Sequence, residues 1–141
     1  MKGYLLVRAA GKAYGLPVGR VLEVGDATEV LAIPRKLPAV RGLTPLRGRL
    51  VPLIHLGAFL AGSEAPVSTG PATRTVVLVE IGPSHTQVAL EVDDADAVMR
   101  DEPLPVPRGQ MLPWAAGVAE QEGGEGLVPI LDLDALGDRI A

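Results

Sequence analysis

One phrase occurs twice in this chain. Leu37-Pro38-Ala39-Val40-Arg41-Gly42-Leu43 is echoed by Leu112-Pro113-Trp114-Ala115-Ala116-Gly117-Val118, and Leu50-Val51-Pro52-Leu53-Ile54-His55-Leu56 by Leu127-Val128-Pro129-Ile130-Leu131-Asp132-Leu133. The offsets are 75 and 77 residues, so the second copy carries a slightly longer loop. Matches that keep their order and nearly their offset point to two similar structural halves. Two copies are too few for an open solenoid. The 141 residues are therefore read as a single domain, residues 1–141, built of two paired subdomains around a shared core.

The periodicity is that of strands. Residues 4–9 are apolar and β-prone, and Tyr14, Leu16 and Val18 alternate with small or polar residues, with Gly11-Lys12 as the turn between the two runs. Val21-Leu22-Glu23-Val24 reads as a short strand stopped by Gly25-Asp26. Residues 49–56 are apolar on both faces, and Pro52 inside them cannot donate to a ladder, so that strand must have an edge or a bulge there. Residues 63–73 have linker composition. Arg74 to Ile81, the turn Gly82-Pro83-Ser84-His85 and Thr86 to Val92 read as a hairpin, residues 101–113 as irregular, and 127–133 as the repeated strand. Helix is confined to short pieces at Gly57–Leu60 and Leu133–Arg139. Many short strands without a βαβ rhythm predict a mainly β, barrel-type architecture.

Composition excludes several functions. There is no cysteine, hence no disulfide framework and no thiolate metal site. No apolar run approaches the length of about 18 residues that a membrane helix needs, and no signal peptide is recognisable, so a cytoplasmic protein without direct membrane insertion is expected. The net charge of -4 argues against nucleic acid as a partner. Arg35, Lys36, Arg41, Arg47 and Arg49 nevertheless form an acid-free basic stretch, either a solvated loop or a surface facing an acidic protein.

A search for catalysis finds little. His55 lies in an apolar strand and His85 in a turn, and two distant histidines without cysteine do not assemble a zinc site. Asp93-Asp94-Ala95-Asp96 lacks the glycine and distal glutamate of a calcium loop and reads as a solvated strand end. Phosphate-loop, dinucleotide and nucleophile-elbow motifs are missing. No enzyme, metal or cofactor is expected.

What remains is Val40-Arg41-Gly42-Leu43-Thr44-Pro45-Leu46-Arg47-Gly48-Arg49-Leu50-Val51-Pro52-Leu53-Ile54-His55-Leu56, in which an Arg-Gly step leads into a strand and Gly48 supplies a backbone conformation that fixes Arg47. This pattern resembles the CheW family of chemotaxis coupling proteins, whose motif runs Gly-Val-x-Asn-Leu-Arg-Gly into a Val-Pro strand ending in Asp-Leu. Tyr14-Gly15-Leu16, Val88 to Asp93, Ala116-Gly117-Val118 and Leu127 to Leu136 extend the resemblance over nearly the whole chain. Pro45, His55 and Gly57 depart from it, standing for Asn, Asp and Arg.

The resemblance implies two intertwined, five-stranded SH3-like β-barrels with short helical segments. It also implies a non-enzymatic scaffold between a CheA-type histidine kinase, through its regulatory domain, and the cytoplasmic tips of methyl-accepting chemoreceptors. By motif it carries the family's partner-binding positions onto Val21, Glu23, Gly42, Arg47 and Val98. Glu23 and Arg47 are expected to form an ion pair that aims the guanidinium at a partner, and Val21 and Val98 to line an accessible groove. Three alternatives remain: a CheW-like adaptor of a pilus or twitching chemosensory-like pathway, a barrel binding a small ligand in a closed cavity, and an RNA-binding barrel using the basic stretch. The lack of interleaved aromatics argues against the last.

Overall fold

The computed structural model describes residues 3–32, 38–63, 73–99, 115–120 and 127–140. Among these residues, ten strands form two five-stranded sheets. In chain order they are β1 (Tyr4–Ala9), β2 (Lys12–Pro17), β3 (Val21–Ala27), β4 (Val40–Leu46), β5 (Arg49–His55), β6 (Arg74–Ile81), β7 (Thr86–Val92), β8 (Asp94–Met99), β9 (Ala115–Glu120) and β10 (Leu127–Leu131). Helix α1 (Leu56–Ala61) follows β5, and α2 (Leu133–Ile140) follows β10. The mainly β, two-subdomain expectation holds.

Three local readings need correction. The strand through Tyr14 and Leu16 ends at Pro17, and Val18–Arg20 form a single 3-10 turn, because proline cannot extend the ladder. Gly25 and Asp26 do not stop β3: they pair with Val76 and Thr75, supported by the central strand beside them. The acidic run is not merely a strand end, because Asp94 opens β8, which pairs with β1. The linker 64–72 and the segment 101–113 lie outside the described residues.

The doubled phrase has a geometric counterpart. One sheet runs β3-β6-β7-β5-β4 and the other β8-β1-β2-β10-β9, so β3, β4, β5, β6 and β7 correspond to β8, β9, β10, β1 and β2. In the first sheet Val40 opposes Ile54 and Gly42 opposes Leu53, leaving Arg41 in a bulge. In the second, Ala115 opposes Leu131 and Gly117 opposes Ile130, leaving Ala116 in the same place. The parallel pairs agree as well, β5 on β7 through Leu53–Ala89 and β10 on β2 through Ile130–Gly15. A shared bulge is a designed feature, and its recurrence at the offsets of the phrase makes the two halves structural equivalents.

Pro52 is accommodated as anticipated. β7 pairs with β5 only at Leu53, Ile54 and His55, so the half of β5 before them is an edge on that side.

The strands at the middle of each sheet bury both faces. Val76 and Leu78 of β6, Ala89 of β7 and Val51 and Leu53 of β5 fill one barrel. The alternate residues, Val77, Val79, Val88 and Leu90, pack with Leu5, Val7, Tyr14 and Leu16 of the other sheet in a shared core. A fully buried Val or Leu side chain contributes about 1.5–3 kcal/mol. Separating the barrels would expose all of these at once, so neither half is an independent unit.

The helices fasten this junction reciprocally. Gly57 of α1 sits so close to Ala10, in the β1–β2 turn of the other sheet, that a side chain there would collide with the Ala10 Cβ. The carbonyl of Leu133, which opens α2, accepts from Gly82 N in the β6–β7 turn (3.2 Å).

Candidate functional site

The Arg47-Gly48 turn joins β4 to β5. Both residues are left-handed, with φ of 52° and 78°, as a two-residue turn matching the right-handed strand twist requires. Arg47 stands exposed at the hairpin tip beside the exposed Arg49. The expected Glu23–Arg47 ion pair does not form: Glu23 lies within β3 opposite Leu78, and the stretch that reaches β4 is Glu29–Leu31, beyond the end of β3. No ion pair joins the two among the described residues.

That closing stretch explains Gly42. Leu31 and Leu43 exchange both backbone hydrogen bonds (2.7 and 2.9 Å), and the buried Thr44 Oγ1 donates to the Glu29 carbonyl (2.7 Å). Gly42 is buried with φ of 151°, and a Cβ on it would overlap the Leu31 carbonyl. It is the close crossing at which this barrel shuts.

The hairpin has two unlike faces. Gly42–Leu53 and Thr44–Val51 pair inward. Leu43–Pro52 and Pro45–Leu50 pair on the opposite face, and Leu31 lies directly across from Leu43. Leu31 is 56% exposed and Leu50 55%. The outer face is therefore a contiguous apolar surface rimmed by Arg47 and Arg49, and soluble monomers avoid such patches unless they are used. The sequence hid this face: residues 49–56 read as apolar on both faces, and the structure turns Leu50 outward while Val51 and Leu53 point inward.

A second exposed apolar position lies at the rim of the shared core. Val21 is half-buried against that core, and Val24, opposite Val77, is 48% exposed. Val98 occupies the equivalent register on β8, opposite Leu5; its side chain lies outside the described residues. Val21, Glu23 and Val98 thus belong to the two corresponding strands β3 and β8, whereas Gly42 and Arg47 belong to the β4–β5 hairpin.

Sequence reasoning missed a charged group between β4, β5, β6 and β7. Glu91 accepts from Arg41 through Nε (2.6 Å) and Nη2 (3.2 Å), and Arg74 Nε lies 3.2 Å from the same carboxylate. These side chains are only 12–13% exposed. Arg41 therefore departs from the exposed basic stretch: the bulge turns it onto Glu91. His55 Nε2 sits 3.8 Å from Glu91, and His55 Nδ1 accepts from Ala58 N (3.0 Å), capping α1. Asp132 does the same for α2, accepting from Asp134 N and Ala135 N (3.1 Å each). Aligning His55 with Asp132 in the doubled phrase would have identified both caps.

Arg20, in the turn between the sheets, ties them together by donating to the Gly82 carbonyl (3.2 Å) and to Asp134 (2.8 Å). A shallow cavity of about 180 Å³ beside it is lined by Pro17, Arg20 and residues 131–134. Its open, partly charged lining does not match the closed apolar cavity of a ligand-binding barrel. No group of three metal-ligating side chains occurs among the described residues, and none of their helices is long and apolar enough to cross a membrane.

The arrangement matches known proteins. The chain is similar to the scaffolding protein TtCheW from Thermoanaerobacter tengcongensis, with a TM-score of 0.76, 22% identity, and coverage of 94% of this chain and 89% of that one, a likeness of fold. It is 30% identical to Protein FrzA of Myxococcus xanthus over 139 residues, which span 94% of this chain and 83% of the relative. The family model of the CheW-like domain matches residues 3–141. With the doubled barrel, the recurring bulge and the Arg-Gly hairpin, these matches show that the chain belongs to the CheW-like domain family.

Proposed function

We propose that this protein is a non-enzymatic, cytoplasmic scaffold that couples chemoreceptors to a CheA-type histidine kinase in chemosensory signalling. The observation that carries the reading is the apolar outer face of the β4–β5 hairpin, with Leu31 and Leu50 more than half exposed. A surface of that kind fits a second β-barrel, such as the kinase's regulatory domain, packing end to end. The rim marked by Val21, Glu23 and Val98, together with the exposed Val24, is the proposed seat of the receptor tip. Arg47 supplies a planar donor fork for a partner's carboxylates or carbonyls. Gly42 acts indirectly, by closing the barrel that presents the hairpin. A second reading, an adaptor of a Myxococcus-type pathway, rests on the similarity to Protein FrzA and shares these surfaces.

The test is titration calorimetry and gel filtration with the regulatory domain of a CheA-type kinase and with a receptor-tip fragment. Leu50→Glu is expected to weaken the kinase complex, and Val24→Glu the receptor complex, each leaving the other intact. Absence of any complex between the unaltered protein and the kinase domain would overturn the reading.

A further inference from the structure

The doubled phrase places different residues at one equivalent position: His55 caps α1, whereas Asp132 caps α2. The caps differ chemically. An aspartate stays an acceptor down to about pH 4, but an imidazole loses its free nitrogen near neutrality. His55 Nδ1 accepts from Ala58 N, which puts the ring proton on Nε2, facing Glu91 Oε2 at 3.8 Å. A second proton can enter only at Nδ1. There it replaces the lone pair that holds Ala58 N with an N–H pointing at another N–H.

The surroundings do not rescue that state. Glu91 on β7 already accepts from Arg41 on β4 and lies 3.2 Å from Arg74 on β6, so an imidazolium would be a third cation around one carboxylate. Asp93, just past β7, is exposed and offers a weaker counter-charge. Neither α1 (Leu56–Ala61) nor the Ala10-Gly11 turn against which it packs carries a charged side chain. Burial holds His55 below the ordinary histidine value; the Glu91 charge opposes this, Arg41 reinforces it, and Asp93 opposes it.

We propose that His55 is a proton-sensitive helix cap that releases the first turn of α1, and with it the Gly57–Ala10 junction between the barrels, when the protein is acidified. This device exists in only one of the two halves, since the corresponding turn of α2 is capped by a carboxylate, Asp132, and not by an imidazole. It does not depend on which partner the scaffold serves.

The sign follows from linkage. The unfolded chain binds the proton at about pH 6.5, and the folded chain only at a lower pH. Stability contributed by the neutral cap is complete above about pH 6.5 and falls as the pH drops toward the folded value.

The experiment uses the full chain. Long-range proton–nitrogen NMR at about pH 7.5 is expected to show the Nε2–H form of His55. Acidification to about pH 5.5 should speed exchange of the Ala58 amide, relative to its intrinsic rate, by about fivefold, the size of a lost cap, with Ala135 N on α2 unaffected. His55→Asn keeps a capping oxygen and cannot titrate, so its melting temperature should fall less than that of the unaltered protein over the same interval. His85 is common to both and cancels. An Nδ1–H form at about pH 7.5, or equal acid loss in the two proteins, would overturn the proposal.

Discussion

Replacing Gly42 by alanine isolates the closure of the hairpin-bearing barrel from any contact with a partner. Alanine at φ of 151° is strained, at about 1–3 kcal/mol, and its Cβ overlaps a backbone carbonyl that has no rotamer with which to retreat. Relief requires moving Leu31 away from Leu43, sacrificing two backbone hydrogen bonds at about 1 kcal/mol each. The loss should be about 3–5 kcal/mol, a large share of a stability of about 5–15 kcal/mol. In urea, with a slope of about 2 kcal/mol per molar, the midpoint should fall by roughly 2 M as followed by circular dichroism. Gly25→Ala is the matched control: Gly25 lies in β3, lacks a positive φ and has nothing near its would-be Cβ, so it should be neutral or stabilising by up to about 1 kcal/mol. A Gly42→Ala midpoint within about 0.3 M of the unaltered protein would refute the close crossing.

Arg41→Ala strips Glu91 of its bidentate partner and should cost about 2–3 kcal/mol, less than a fully buried pair because Arg74 remains and the site is slightly exposed. Arg20→Ala breaks a half-exposed contact and should cost only about 1 kcal/mol; thermal melts of the two variants compare them directly. Leu50→Glu should leave the melting temperature almost unchanged, because the side chain already faces water, while weakening kinase binding in calorimetry by more than about tenfold. Arg47→Ala should likewise leave stability within about 0.5 kcal/mol and reduce partner binding; a mutant that unfolds assigns Arg47 a structural role instead.

The doubled phrase was the most legible part of this fold because it encodes strand, bulge, cap and helix together, each at nearly fixed spacing. The β6–β7 hairpin was equally plain, since Val76 to Val79 form a continuous apolar run that only a strand buried on both faces needs. β8 was obscured because its first residues are acidic, and acidic runs usually mark solvent; here Asp94 sits opposite Arg8 on a sheet edge. The place of Arg41 is obscured for a related reason. Charge alone says surface, and only the bulge beside Gly42, together with a glutamate fifty positions away, brings it inside. The apolar hairpin face was hidden because residues 49–56 are apolar on both faces, and only the burial of Val51 and Leu53 beside the exposed Leu50 shows which face is the outer one.

The correspondence of β8-β9-β10 followed by β1-β2 with β3 to β7 also sets an order of assembly. One barrel is continuous in the chain, from β3 to β7; the other must recruit its first two strands from the opposite end of the sequence. Closing Gly15 onto Ile130 spans a loop roughly three times longer than closing Leu53 onto Ala89, at an added entropic cost of about 1 kcal/mol. On an emerging polypeptide, all five strands of the continuous barrel are available once β7 leaves the ribosome, and the β1–β2 hairpin is already present to cover the shared-core face of β6 and β7. That hairpin would then serve as the template onto which β8 and β10 add from either side. The second half is thereby completed on a surface prepared by the first, and the edges of the β1–β2 hairpin are the ones that wait longest for their partners.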